Sequence, residues 1–243
     1  MKKRSLTRAE RSKIIDEHFA DLDRHLKSAS IAILKRGKQS TPTESCFGGV
    51  FVGQKDSVWP EFDGEPLEGV LQIRTKDLPF RPKELKGISL IQVFVSCETW
   101  PSGLVNPRYG DGENVVVRSF STLRGLCALE RPIKSNLKPC RIEWKKVENE
   151  IPTYPDDIGL VDDEKQERFR ELPDWSNVLG RRYNSNPRTK VGGWPNSCQN
   201  GLNYRGYAIQ IGSEQKANFM WGHDGTAVVY RVRNKWSLDW DCF

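Results

Sequence analysis

The chain repeats an ordered set of short motifs, and this repeat constrains the fold more than any other feature. The first copy starts at Phe47-Gly48-Gly49 and the second at Val191-Gly192-Gly193. The first continues with Trp59-Pro60, Leu71-Gln72-Ile73, Gly87 and an apolar run ending at Val95, and the second with Trp194-Pro195, Ile209-Gln210-Ile211, Gly225 and an apolar run ending at Val232. Because repeat architectures usually need three or more units to bury a continuous core, two copies predict two halves packed into one body.

The repeat predicts an α+β fold of two pseudo-repeated β-rich halves packed into one body, with an N-terminal amphipathic helix. At 243 residues the chain is long for one domain and short for two. The predicted segments are a basic helix and first strand over 1–38, a first half over 39–147, an acidic insertion over 148–178 and a second half over 179–243. Together they form one domain.

Local patterns place the first helix and several strands. Thr7-Arg8-Ala9-Glu10 is a capping box that starts a helix, and Ile15, Phe19, Leu22 and Leu26 form its apolar stripe. β-Branched residues favour a strand over a longer helix at 30–34. Further strands are predicted at 88–95, 115–120, 140–144, 207–211 and 226–233, and a short helix at 164–172.

Charge is concentrated in two segments. Residues 1–38 contain eleven Lys or Arg and five Asp or Glu, so they account for the whole net charge of +6. Residues 148–174 contain ten acidic and three basic residues. The chain therefore has a basic head, a neutral body and an acidic interruption, and single-signed segments of this kind are candidates for partner contacts.

The sequence also argues against several classes of protein. No window approaches the roughly 20 apolar residues of a membrane span, and no apolar segment follows the basic N-terminus as in a signal peptide. The six cysteines form no C-x-x-C pair, and three histidines do not provide a zinc-site spacing. We expect a cytoplasmic protein with buried, reduced cysteines, no metal, no cofactor and no membrane partner.

The ordered motifs resemble those of the YwqG-like family of bacterial proteins. The segments that carry the resemblance are Ser45-Cys46-Phe47-Gly48-Gly49, Glu65-Pro66-Leu67, Leu78-Pro79, Lys190-Val191-Gly192-Gly193-Trp194-Pro195 and Met220-Trp221-Gly222-His223-Asp224-Gly225, with the two Gln-Ile strands. It covers about residues 30–100 and 188–243. The resemblance implies an α+β body of two similar halves and no known reaction. Family members look like neighbours of bacterial toxin systems, which implies an immunity-type or other protein-binding role.

One group of candidate residues belongs to the seam between the halves. Gln72 and Gln210 hold equivalent places in two apolar strands, and a buried glutamine must be hydrogen-bonded. A glutamine pair across the seam and a bound small molecule both satisfy this requirement. His223, next to Asp224, is the remaining candidate for this pocket, but adjacent turn residues usually point apart. We therefore assign no catalytic residue.

The acidic insertion supplies the second group. Its central segment has an apolar centre between two anionic pairs, which suits a solvated loop or an arm that enters the basic cleft of a protein partner. The predicted partner-binding residues are Asp156, Asp157, Ile158, Leu160, Asp162, Asp163 and Glu164.

These observations rank three functions. The first is a non-catalytic protein-binding protein, and specifically an immunity protein that neutralises a cognate toxin. The second is a small-ligand sensor or enzyme that uses the seam between the halves. The third is a nucleic-acid-associated protein acting through the basic N-terminal helix. That helix lacks the interleaved aromatic residues of single-strand binders, which disfavours nucleic acid.

Overall fold

The fold is organised around one ten-stranded antiparallel sheet. A computed structural model describes residues 6–108, 114–132, 134–152, 159–196 and 205–242. The strands, in chain order, are β1 (Lys27–Arg36), β2 (Cys46–Phe47), β3 (Val52–Gly53), β4 (Glu61–Phe62), β5 (Glu65–Pro66), β6 (Glu68–Arg74), β7 (Leu90–Val95), β8 (Cys97–Thr99), β9 (Val105–Pro107), β10 (Val115–Phe120), β11 (Cys127–Ala128), β12 (Cys140–Glu150), β13 (Lys190–Gly192), β14 (Tyr207–Gly212), β15 (Thr226–Val232) and β16 (Lys235–Asp241). The helices are α1 (Arg8–Leu22), α2 (Asp163–Arg170) and α3 (Trp175–Arg182).

The strand order divides the large sheet into two sets around a central pair. The order is β10-β7-β6-β2-β12-β1-β13-β14-β15-β16. We call β2, β6, β7 and β10 the first strand set, and β13 to β16 the second. Strand β1 precedes the first set in the chain but pairs with β13, and β12 precedes the second set but pairs with β2. The two central strands are therefore exchanged between the sets.

The sheet curls until its edge strands β10 and β16 approach each other. Its main core contains Phe47, Ile73, Val93, Ile209 and Trp221, all at most 1 % exposed. Residues of both sets contribute to this one cluster, so the sets share a core. Burial of this apolar surface is the dominant stabilising contribution. The α+β class is confirmed.

A second, separate cluster joins the N-terminal helix to the acidic insertion. Phe19 and Leu22 of α1 pack with Phe169 of α2 and with Tyr183, and Leu160, Trp175 and Leu179 pack around them. The side chain of Tyr183 meets Phe19 edge-on with ring centres 5.2 Å apart. We call α1, α2 and α3 with their connections the helical module.

The predicted helices and strands are confirmed, except that α1 ends at Leu22 and Leu26 of the predicted apolar stripe lies beyond it. Helix α1 begins after Thr7, and both capping-box hydrogen bonds between Thr7 and Glu10 are present. Strand β1 replaces the alternative of a longer helix, and the predicted helix at 164–172 is α2. The other five predicted strands correspond to β7, β10, β12, β14 and β15.

The two glycine pairs Gly48-Gly49 and Gly192-Gly193, which we call the first and second Gly-Gly steps, contain left-handed backbone, but the two Trp-Pro pairs do not occupy matching places. Gly48, Gly192 and Gly193 have φ values of 60°, 76° and 72°, a region that favours glycine. Trp194 follows its Gly-Gly step directly, and its Nε1 donates to the carbonyl of His25 at 2.8 Å. Trp59 lies in a separate cluster, with its Nε1 donating to the carbonyl of Leu67 at 2.7 Å. The order of motifs along the chain alone made these tryptophans look equivalent.

Candidate functional site

A cleft of about 430 Å³ opens between the two strand sets. Its walls come from three places in the chain: the start of β1, the segment before β7, and the second strand set with the turns that flank it. The lining residues are Lys27, Ser28, Phe80, Pro82, Lys83, Glu84, Gly192, Gly193, Gly206 and Tyr207. Its volume is within the range of small-molecule sites.

The second Gly-Gly step forms one wall of this cleft and is closely packed on both of its glycines. A Cβ atom at Gly192 would overlap the ring of Phe80, and one at Gly193 would overlap the carboxylate of Glu150. Both residues also have left-handed φ values. Glycine is therefore required here by backbone conformation and by space.

Directly behind this wall lies a fully buried ion pair. Lys190 and Glu150 are both 0 % exposed, and Lys190 Nζ donates to Glu150 Oε1. Lys190 Nζ also donates to Oδ1 of Asn196 at 2.6 Å. The backbone N–H of Trp194 donates to Glu150 Oε2 at 3.2 Å. The pair thus anchors the residue that follows the Gly-Gly step.

Burial works against the charges of this pair. It lowers the pKa of Lys190 from 10.5 to about 8, although the neighbouring Glu150 favours the ammonium form. Burial also raises the pKa of Glu150 above 4.5, although Lys190 favours the carboxylate. Removing both ions from water costs free energy that their attraction only partly returns. The pair therefore needs its further hydrogen bonds.

Asn196 connects the ion pair to the sheet. Its backbone N–H donates to Gln210 Oε1 at 2.7 Å, and its carbonyl accepts from Thr226 Oγ1 at 2.8 Å. Its Nδ2 donates to Ser185 Oγ at 3.0 Å. These contacts fix the orientation of Lys190 relative to β14 and β15.

A second cation lies at the mouth of the cleft. The ammonium group of Lys27 sits 3.3 Å from the centre of the Trp194 ring, an arrangement that favours a cation. Burial lowers the pKa of Lys27, and Glu84 and Glu150 oppose this change. The ring therefore holds a positive charge at the edge of the cleft.

The first Gly-Gly step has a neutral counterpart of the ion pair. Gln39 Nε2 donates to Cys46 Sγ at 3.1 Å, and the backbone N–H of Val50 donates to Gln39 Oε1 at 3.2 Å. Cys46 begins β2 as Lys190 begins β13, and Val50 follows Gly49 as Trp194 follows Gly193. Burial raises the pKa of Cys46 to about 12, so the thiol stays protonated.

Gln72 and Gln210, two of the predicted seam residues, are both fully buried. Gln72 Nε2 donates to the carbonyls of Pro42 and Glu44 at 2.8 and 2.9 Å. Gln210 Nε2 donates to the carbonyls of Asn186 and Arg188 at 3.1 and 2.9 Å. Each glutamine therefore holds the backbone beside its own strand set.

The structure does not bring the three predicted seam residues together in the cleft. Gln72 Oε1 accepts from Gln92 Nε2 at 2.7 Å, whereas Gln210 Oε1 accepts from Asn196 N. His223 is exposed, and its ring lies 5.7 Å from that of Trp100. The cleft that does lie between the sets is lined by other residues.

The described part of the predicted partner-binding segment lies at the start of α2. Asp162 is the N-cap and accepts from the backbone N–H of Lys165 at 3.2 Å. Asp163 and Glu164 are exposed in the first helical turn, where they complement the helix dipole. Leu160 is half-buried against the helical cluster. The predicted residues Asp156, Asp157 and Ile158 lie outside the described part of the chain.

Ion pairs within the helical module neutralise part of both charged segments. Lys165 Nζ lies 2.7 Å from Asp21 Oδ2, and Arg168 Nη1 lies 3.5 Å from Glu17 Oε2. A third pair joins Arg182 to Asp23 at 2.6 Å. Cations of the insertion region and anions of the N-terminal segment therefore face each other, which their separate net charges do not reveal.

Sequence reasoning missed the residues that form the cleft and its buried pair. The available signal was weak: Lys190 is a lysine at the start of a short strand, and Glu150 ends a polar strand whose residues are mostly exposed or half-buried. Across the described ranges, no group of three or more His, Cys, Asp or Glu side chains is arranged to hold a metal ion. Within those ranges, no helix is long and apolar enough to cross a membrane.

Comparison with protein families places this architecture in a known group. Residues 45–234 match the model of a family described as a domain of unknown function (DUF1963). The chain belongs to this family. The match includes both Gly-Gly steps, the ion pair and the second strand set through β15, while α1 and β1 precede it. No curated protein matches the chain.

Proposed function

We propose that this protein is a non-catalytic binding protein whose ligand occupies the cleft between the two strand sets. One observation carries the proposal: a buried charged pair stands behind the cleft where the first strand set has a neutral pair. Gln39 shows that a neutral side chain is sufficient to anchor a turn of this kind. The turn at the second Gly-Gly step therefore does not require that Glu150 and Lys190 be charged.

The position of the cleft also supports binding. Lys27 comes from β1, Phe80 from the segment before β7, and Tyr207 from β14. A ligand that contacts all three would bridge the central pair and both strand sets. Such a ligand stabilises the folded chain, because anything that binds only the folded state adds to its stability.

The repeated architecture is part of the same proposal. We infer that the halves arose by duplication, with β1 and β12 exchanged, and that the chain is a YwqG-like protein. The mirrored strand order, the matched backbone contacts of Gln72 and Gln210, and the two Gly-Gly steps support this inference. After duplication, the second half acquired the charged pair and the insertion that carries α2 and α3.

The proposal is tested by asking whether the protein retains a small molecule when purified gently from its host. Native mass spectrometry should detect a bound species on the full chain. Ser28→Trp, which fills the cleft, should remove it. Ser119→Trp is the matched control, since Ser119 is an exposed residue on β10. The proposal is contradicted if the wild-type protein shows only the mass of the chain with no bound molecule. It is also contradicted if the bound molecule is still present in Ser28→Trp.

A second candidate function is the binding of a protein partner, and in particular neutralisation of a cognate toxin in the cytoplasm. One observation favours it: Asp163 and Glu164 are exposed, while Lys165 turns toward Asp21 of α1. Outward anions on a packed platform can steer a basic partner. The resemblance to the YwqG-like family favours a toxin as that partner.

Charge reversal distinguishes this second candidate. In a pull-down from the host, Asp163→Lys with Glu164→Lys should release a protein partner, while the thermal midpoint falls only by the small helix-dipole contribution of these two exposed residues. Glu61→Lys, at an exposed position on β4, is the control. A complex that survives the double reversal rules out this surface. Nucleic-acid binding by the N-terminal helix stays a third prediction, tested by a salt-dependent gel shift.

A further inference from the structure

The charged groups that line the cleft do not neutralise one another completely. Lys27 and Lys83 contribute two ammonium groups, and Glu84 contributes one carboxylate. The ion pair behind the wall adds no net charge, because Lys190 and Glu150 carry opposite charges in direct contact. The lining therefore carries one net positive charge.

Neither lining ammonium group forms an ion pair with a described carboxylate, although Glu84 and Glu150 act on the pKa of Lys27 at longer range. Among the described residues, no carboxylate oxygen lies within the 4.0 Å of an ion pair from Lys27 Nζ or Lys83 Nζ. Lys27 rests instead on the Trp194 ring, which holds a cation without cancelling its charge. The positive charge of the cleft is thus available to a ligand.

The rest of the lining combines a hydroxyl group with apolar surface. Ser28 adds a hydroxyl group, and Phe80, Pro82 and Tyr207 add two rings and a proline. Tyr207 already donates its hydroxyl to the carbonyl of Gly192 at 3.0 Å, so its hydrogen-bonding group is occupied. Small-molecule sites commonly pair an apolar wall with a few polar groups that orient the ligand.

We propose that the cleft binds a small organic anion, with a single carboxylate or phosphate group between Lys27 and Lys83 and an apolar body against Phe80. This inference rests on the proposed binding function and specifies its ligand class. A carboxylate or phosphate accepts charge-assisted hydrogen bonds from ammonium groups, and these bonds are stronger than neutral ones. A single carboxylate leaves the lined cleft electrically neutral, whereas a phosphate monoester, with a charge of about −1.5 to −2, exceeds the positive charge of the lining.

The test uses aromatic probes that share one body and differ in the head group. Phenylacetate, 2-phenylethanol and phenethylamine carry an anionic, a neutral and a cationic head, and phenyl phosphate supplies a second anion. Binding to the full-length protein is measured by isothermal titration calorimetry and by ligand-observed NMR. Phenylacetate or phenyl phosphate should bind, the stronger of the two identifying the preferred anion, and the amine should not.

Two lysine variants and one control locate the anion. Lys27→Met and Lys83→Met should each weaken binding of the anionic probe by about tenfold or more, because each removes a charge-assisted contact. Lys86→Met is the control, since Lys86 is exposed three residues beyond Lys83 and does not line the cleft. Thermal midpoints of all three variants show whether each still folds.

Each outcome decides between the ligand class and the site. Equal binding of the alcohol and the acid, or unchanged affinity in both Met variants, overturns the anionic class. Failure of both anions to bind also overturns the anionic class. If Ser28→Trp nevertheless abolishes retention of the native ligand, the proposed binding function stands. If no probe binds and the wild-type protein shows only the mass of the chain with no bound molecule, both the anionic class and the proposed binding function are overturned.

Discussion

The two Gly-Gly steps solve one structural problem with different chemistry. At the first step, Gln39 accepts the backbone N–H of Val50 and contacts the neutral Cys46. At the second, Glu150 accepts the backbone N–H of Trp194 at the same distance of 3.2 Å and pairs with Lys190. The turn therefore needs an acceptor behind it, and the first step shows that this acceptor can be neutral.

The difference indicates a function for the second step beyond folding. A buried ion pair is weak evidence for stability, because desolvation offsets the attraction between its members. A perturbed pKa next to a cleft is instead typical of functional sites. Lys190, with its pKa lowered by burial to about 8, stands behind a cleft, and Cys46 has no corresponding lined cleft among those described.

The largest expected effect is at Gly193. Gly193→Ala combines a φ of 72° with overlap of the buried Glu150 carboxylate, so the free energy of unfolding should fall by at least about 4 kcal/mol. Gly49→Ala should cost less, because Gln39 is only half-buried and can move. Urea unfolding measures both. A greater loss of unfolding free energy in Gly49→Ala than in Gly193→Ala would contradict the difference described between the two steps.

Gly37→Ala is the control for backbone strain alone. Its φ is 117°, and a Cβ there would meet no atom within 4 Å. We expect a loss of about 1 to 3 kcal/mol, the usual cost of a strained backbone conformation. A loss equal to that of Gly193→Ala would show that the carboxylate overlap contributes nothing.

The next largest effect is the loss of one partner from each pair. Lys190→Met leaves Glu150 buried without its cation, which should cost about 3 to 5 kcal/mol. Cys46→Ala leaves no charge behind and should cost about 1 to 2 kcal/mol, the range for a small buried group with a weak hydrogen bond. Chemical denaturation of both variants gives the comparison. Similar losses at the two sites would contradict the assignment of a charged pair to the second.

At alkaline pH, the free energy of unfolding should change in opposite directions because of the buried group at each step. Between pH 8 and 10.5, unfolded Lys190 binds a proton that the folded side chain has lost, so stability rises with pH by about 1.4 kcal/mol per unit. Between pH 9 and 12, folded Cys46 retains a proton that the unfolded thiol loses, so stability falls at a similar rate.

These slopes are measured as differences between the wild type and matched variants. Subtracting the stability curve of Glu150→Gln with Lys190→Met isolates the second step, and subtracting that of Cys46→Ala isolates the first. If the slopes of unfolding free energy against pH had the same sign for both steps, Lys190 and Cys46 would not differ in protonation as described.

The sequence predicted the elements whose signals are local. The capping box located the start of α1, β-branched residues located β1, and a continuous apolar run located β7. The Gly-Gly steps were visible because a left-handed backbone demands glycine. Motif order also indicated a family without a known reaction, and the family that matches is a domain of unknown function. The Trp-Pro pairs were matched wrongly, since the order of motifs does not reveal which loop a tryptophan enters.

Long-range packing was the part that the sequence did not disclose. Two oppositely charged segments looked like free surfaces, yet Asp21 pairs with Lys165 across 144 residues of chain. Gln72 and Gln210 looked like ligand or seam contacts, and instead they hold adjacent backbone. Lys190 and Glu150 lie 40 residues apart in the chain, on two strands that β1 separates in the sheet, so only the folded sheet brings them together.

The central claim is that the charge at the second step serves the cleft and is dispensable for the fold. The most direct measurement uses the double variant Glu150→Gln with Lys190→Met, which makes the second step neutral like the first. Its free energy of unfolding and its retention of the small molecule are both compared with those of the wild type. We predict unfolding free energy within about 2 kcal/mol of the wild type and loss of the small molecule seen by native mass spectrometry. A strongly destabilised variant, or a stable one that retains the ligand, would contradict the claim.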